Sequence, residues 1–141
     1  MAAPSPRREP PLREPPLREP MIRVIAMPAD TNPFGDIFGG WLMAQMDLAA
    51  SNLAMRIAKG RCVTAAVDAM AFLSPVHVGD EVSFYADLIT IGRTSMKINV
   101  EAERRTRFQM TTIPVTKAVF TFVAIDEDRK PRPIGQDFGP E

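Results

Sequence analysis

A single carboxylate, Asp36, stands three residues before the glycine pair Gly39-Gly40 in the run Thr31-Asn32-Pro33-Phe34-Gly35-Asp36-Ile37-Phe38-Gly39-Gly40-Trp41. A carboxylate can take a proton from water or attack a carbonyl itself, and backbone N–H groups can hold the negative charge that then develops on oxygen. Glycines let a carbonyl oxygen approach those N–H groups closely. The same residues have plainer uses. An Asp ahead of a helix caps it, worth about 1 kcal/mol, and a glycine pair fits a loop-to-helix junction that no side chain tolerates. Asn32 could reach a carbonyl or a water, or fold back on its own backbone in an Asx-turn.

Other reactive groups are scarce. Cys62 is the only cysteine, so no intrachain disulfide and no cysteine-rich metal site can form. It reads as a small buried hydrophobe. His77 is the only histidine and lies in a Pro-Val-His-Val-Gly-Asp turn, away from Asp36 in sequence. Asp47 lies on the apolar side of a helical stretch, where a carboxylate needs a partner; it reads as a satisfied structural acid, with a catalytic role as the fallback. Arg93, Thr94 and Ser95 follow Gly92 in a short turn whose amides, hydroxyls and cation suit an anion, or make an ordinary hairpin. Arg104, Arg105 and Arg107 read as a solvated basic edge, and the nine methionines as core filling. The formal net charge is zero, which gives no sign of a nucleic-acid surface.

These groups need a scaffold. From Phe38 to about Lys59 the chain lacks proline and is rich in Ala, Leu and Met, which predicts one long helix with its first free N–H groups near Gly39, Gly40 and Trp41. Gly60 reads as its stop, with Arg56 and Lys59 in the last turn. At 100° per residue, Gln45, Asn52, Arg56 and Lys59 share one stripe, and the rest is apolar except Asp47 and Ser51, which predicts a helix buried almost all round. No apolar stretch is long enough to span a membrane, and no apolar segment suggests a secretion signal, so a cytoplasmic protein is expected. Strands are predicted at 21–27, 61–72, 81–91, 94–105 and 115–125, with 106–114 as loop. Met96, Ile98, Val100 and Ala102 alternate with polar residues in the manner of a half-buried strand. Residues 1–20 carry seven of the fourteen prolines and repeat Arg-Glu-Pro-Pro-Leu from Arg8 and from Arg13, with a third start at Arg18. This segment reads as a solvated tail or a partner-binding motif. The chain thus divides into a tail at 1–20, one domain at 21–133 and an irregular end at 134–141. One helix among antiparallel strands makes an α+β fold. One helix cannot cover five strands, and edges stay open, which argues for self-association.

The chain resembles the hotdog-fold acyl-CoA thioesterases, in particular the YciA type. The likeness is carried by Ala26-Met27-Pro28-Ala29-Asp30-Thr31-Asn32, by Gly35-Asp36-Ile37-Phe38-Gly39-Gly40-Trp41-Leu42-Met43, and by Gln45-Met46-Asp47. It continues through Gly60-Arg61, Val63-Thr64, Phe72-Leu73, Pro75-Val76, Val78-Gly79-Asp80, Val119-Phe120 and Phe122-Val123-Ala124. The resemblance implies a five-stranded antiparallel sheet wrapped around the central helix, sites at the interface of a homodimer, and often a homohexamer built as a trimer of dimers. It implies acyl-CoA hydrolysis to a free fatty acid and coenzyme A, with Asp36, Gly39 and Gly40 catalytic. Asn32, Phe38, Trp41, Arg93, Thr94 and Ser95 then bind substrate, with no metal and no resident cofactor. A non-catalytic acyl-CoA-binding module on the same fold is the alternative. Dehydratases of this fold use a histidine, and none stands in a matching place. Pro33-Phe34 departs from the small polar pair usual there, Ala71 from a position that is often polar, and the proline-rich tail lies outside the pattern.

Overall fold

The structure is a computed structural model and describes residues 18–135. Its elements are β1 (Ile22–Ile25), a 3-10 turn (Pro28–Asp30), α1 (Gly39–Ala58), β2 (Cys62–Phe72), β3 (Glu81–Ile91), β4 (Ser95–Arg105) and β5 (Ile113–Ala124). The strands form one antiparallel sheet in the order β1-β3-β4-β5-β2, with α1 packed on one face. This is the expected hotdog arrangement. Small residues let the helix lie close to the sheet: Ala49, Ala50, Ala54 and Ala58 are buried with Leu42 and Met46 against Phe84, Met96, Ile98, Val100, Phe120 and Phe122. The alternation expected in β4 holds, since Met96, Ile98, Val100 and Ala102 are all buried.

Most bounds agree with the sequence reading to within a residue; the end of β1, the start of β5 and the residue that stops α1 differ, each for a local reason. β1 ends at Ile25 because the Met27 N–H turns to the Asp30 carboxylate at 3.0 Å, closing the 3-10 turn. β5 begins at Ile113 and runs through Pro114, which lies opposite Glu103 where the register shifts; a bulge tolerates a residue that cannot donate to the ladder. The left-handed residue that ends α1 is Lys59 (φ 53°), not Gly60. Gly60 answers another constraint, since a Cβ there would sit 2.6 Å from the Arg132 guanidinium. That group donates to the Ala58 carbonyl at 2.8 Å and to the Ile125 carbonyl at 3.2 Å, so it caps the helix from the chain's last described stretch. Ile134 follows and is buried. The first two tail repeats and residues 136–141 lie outside the described residues.

The helix is not buried all round. Met43, Leu48 and Met55 are 40%, 58% and 46% exposed on the face turned from the sheet. Beside that face β2 is an outermost strand of 11 residues, exposed along most of its length. Among the described residues no helix is long and apolar enough to cross a membrane.

Candidate active site

The loop before α1 is organised by Asn32. Its side-chain oxygen accepts the N–H groups of Phe34 at 2.9 Å and Asp36 at 3.1 Å, an Asx-turn. Its backbone N–H donates to the Asp36 carbonyl at 2.7 Å, and the Gly35 N–H donates to the Asn32 carbonyl at 3.0 Å. Gly35 adopts φ 87°, the left-handed conformation that glycine alone takes without cost. Pairing of Thr31 with Ile37 closes the base of the loop, and the Ile37 N–H reaches the Val76 carbonyl at 3.3 Å. These contacts fix the backbone from which the Asp36 side chain projects at the helix entrance.

Asp36 is exposed, and its carboxylate has no hydrogen-bond or ion-pair partner among the described residues. It does not cap α1. The N-cap is Phe38, which has no side-chain cap bond. The Trp41 N–H turns back to the Phe38 carbonyl at 3.1 Å, so of the three amides expected to be free only those of Gly39 and Gly40 lack a partner among the described residues. Neither glycine has a positive φ, so backbone strain does not explain the pair. A Cβ on Gly39 would meet the Phe72 ring at 3.4 Å, whereas a Cβ on Gly40 would meet nothing within 4 Å. Small residues keep this helix end approachable, and its two free amides carry the positive end of the dipole.

Two apolar recesses flank the pair. One, of about 360 Å³, lies between Gly39 and the segment Phe72–Val76, with Ile37 and Leu42 behind. The other, of about 400 Å³, runs from Gly40 along Met43 and Ala44 to Val67 and Phe120. Asp47 sits in the second, where the Thr64 hydroxyl donates to it at 2.5 Å. It is a satisfied acid, as expected, and its partner is a hydroxyl. Phe38 is 48% exposed beside the amides. Trp41 instead packs edge-on to Phe84, with centroids 6.4 Å apart. The Phe72–Val76 wall is a contributor that residue chemistry alone did not single out, because its carbonyls and apolar side chains have no reactive signature.

Arg93, Thr94 and Ser95 are elsewhere. The Arg93 carbonyl accepts the Ile134 N–H at 2.8 Å and the Thr94 carbonyl accepts that of Ala124 at 2.9 Å, beside the Arg132 cap. This is the C-terminal end of a 20-residue helix, about 30 Å from the end that carries Asp36. A single chain does not bring that turn to the carboxylate. His77 is exposed, and its backbone N–H is held by Asp80 at 3.0 Å. Burial pushes the Cys62 thiol up, with Arg132 pulling the other way, and a protonated thiol is a poor nucleophile. Among the described residues no three His, Cys, Asp or Glu side chains group to hold a metal.

Residues 34–108, from the Asn32-organised loop to the end of the β4 hairpin, match the thioesterase superfamily. The chain belongs to that superfamily. An acyl-CoA thioester hydrolase YciA of Salmonella typhimurium is 49% identical over 119 residues, 80% of this chain and 87% of its own. A Zymomonas mobilis protein described as an uncharacterized acyl-CoA thioester hydrolase is 58% identical over 110 residues, 78% of this chain and 74% of that one. Among solved structures, a hexameric thioesterase from Yersinia pestis superposes with a TM-score of 0.81 at 48% identity, covering 86% of this chain and 99% of that one. An acyl-CoA hydrolase from Staphylococcus aureus, solved with butyryl coenzyme A and coenzyme A, superposes at 0.75 with 33% identity, covering 80% of this chain and 69% of that one. In this member of the superfamily the loop, the glycine pair and both recesses meet at the N-terminal end of α1.

Proposed function

We propose that this thioesterase hydrolyses acyl-CoA, with Asp36 as general base and the Gly39 and Gly40 amides as the oxyanion site. The observation that carries the reading is an exposed carboxylate without a partner among the described residues, on a loop whose backbone Asn32 holds three residues before two free helix amides. Water attacks the thioester carbonyl carbon and gives its proton to Asp36. The carbonyl oxygen takes the negative charge, where two N–H donors and the helix end stabilise it. Collapse of this intermediate breaks the carbon–sulfur bond, and the departing sulfur receives the proton from Asp36. Free acid and coenzyme A leave, and the carboxylate is restored. No electrons are transferred, and we assign no resident cofactor. The apolar recesses suit an acyl chain.

We further assign a homodimer as the smallest complete unit, within a homohexamer. The recess beside Gly40 is open on the face where β2 and the apolar flank of α1 lack cover. A second copy seated there would wall it, and would bring another Arg93-Thr94-Ser95 turn into play.

The test is thiol release from a panel of acyl-CoAs, wild type beside Asp36→Asn. The variant should lose about 10²–10⁴-fold in kcat with KM nearly unchanged. Unchanged turnover would remove Asp36 from the mechanism. Tight acyl-CoA binding without release by wild type would instead mark a binding module.

A further inference from the structure

The third start of the tail repeat is seated on the sheet. One Arg18 nitrogen donates to Asp87 at 2.5 Å, another donates to Glu101 at 2.8 Å, and the guanidinium carbon lies 4.5 Å from the centre of the Tyr85 ring. The strand pairing itself sets the notch out. Tyr85 stands opposite Glu101 across the β3–β4 pairing, and Asp87 lies two residues along β3 on the same face. Asn99, opposite Asp87, donates to the other Glu101 oxygen at 3.1 Å and fixes that carboxylate. Two carboxylates at the edge and one ring at the face match a planar guanidinium, and a lysine ammonium offers no such fork.

The sequence offers this notch three equivalent ligands. Arg8, Arg13 and Arg18 each precede Glu-Pro at a spacing of five residues. We propose that the Tyr85–Asp87–Glu101 notch is a binding site for the guanidinium of an Arg-Glu-Pro repeat, held by Arg18 and taken by Arg13 when the tail slips by one repeat. The tether changes little on slipping. Arg18 lies three residues before Met21 and Arg13 eight, so the effective concentration at the notch falls only about four-fold. Met21 is the fixed point, its N–H bonded to the Phe84 carbonyl at 2.8 Å. Beyond Phe84, β3 has no β1 partner. The seat therefore holds Glu19 and Pro20 where β1 leaves the edge, and a proline-rich segment cannot extend the ladder there.

Acid should empty the seat. The hydrogen bond from Arg18 holds the Glu101 carboxylate below its ordinary value of 4.5; partial burial opposes this, while Asn99 and Lys117 assist, with Asp87 facing the same guanidinium. A lowered value in the seated state means the contact is complete above the ordinary value and is lost as pH falls through the lowered one.

Tyr85 is the only tyrosine, so its ring resonances report the notch in the full-length protein. Three proteins are compared by NMR: wild type, Arg18→Ala, and the triple variant Arg8→Ala, Arg13→Ala, Arg18→Ala. The single variant should retain most of the ring shift that the triple variant loses. A shift as large in the single as in the triple variant would overturn the register slip. An unmoved ring in the triple variant would overturn the seat itself. Labelled triple variant mixed with unlabelled wild type should keep the open-notch shift; return of the wild-type shift would show filling from another chain and overturn the assignment within one chain.

Discussion

At the scale of single residues, Asn32 and Asp36 show where residue chemistry was legible and where it stopped. The type and spacing of Asn32, Gly35 and Asp36 announced a turn bearing one acid. They left open whether Asn32 faces outward or inward, and the structure spends its side-chain oxygen on the loop's own amides. Conformation at Ala69 carried no signal at all. Ala69 has φ 52° inside β2, where the register shifts between Asp68 and Ala71. The left-handed region costs an alanine about 1–2 kcal/mol, and glycine escapes that cost but gives back about 0.4–1 kcal/mol in the unfolded chain. Ala69→Gly should therefore stabilise by about 0.5–1 kcal/mol. Thermal unfolding, monitored by circular dichroism, should rise by about 2–4 °C. A fall would mean that the bulge draws on the alanine methyl in a way that outweighs the strain.

At the scale of elements, the helix and all five strands were legible because their periodicities are strong, and the misreadings lie at ends. Gly60 looked like the stop of α1 because glycine commonly takes the left-handed cap. That role falls to Lys59, and Gly60 makes room for Arg132. The signal for this was out of reach, since Arg132 meets Ala58 across 74 residues of sequence. The placing of the Arg93 turn was out of reach for the same reason: sequence order does not say which end of the sheet a hairpin occupies. The cap makes a double-mutant prediction. Arg132→Ala removes donors from the Ala58 and Ile125 carbonyls and should destabilise by about 1.5–3 kcal/mol, the range for bonds to a charged group. Gly60→Ala alone should also destabilise, by driving the guanidinium off. In the Arg132→Ala background, Gly60→Ala should cost nothing, because the atom it strikes is gone. Additive losses in urea unfolding would separate Gly60 from Arg132 and leave the glycine with a backbone role.

At the scale of the whole molecule, the sequence foretold that one helix would leave strand edges open, and it missed that the helix itself keeps an uncovered apolar side. The helix was expected to be apolar because it is buried on every side. Instead its apolar residues serve two partners, the chain's own sheet and an uncovered side made of Met43, Leu48 and Met55 next to the long exposed edge of β2. An open strand of 11 residues beside an apolar helix flank is a strong template for pairing. Val67 lies at the meeting point of the two, 36% exposed, in the recess that opens from Gly40. Val67→Glu places a charge where the proposed second copy closes. By sedimentation it should shift the assembly toward smaller species while circular dichroism stays native, because the side chain is outside the chain's own core. Thiol release should fall at least about ten-fold with the assembly, since the recess beside the proposed oxyanion amides then lacks its far wall. Dissociation with full activity would make the site complete within one chain. An intact assembly would place the seam away from β2.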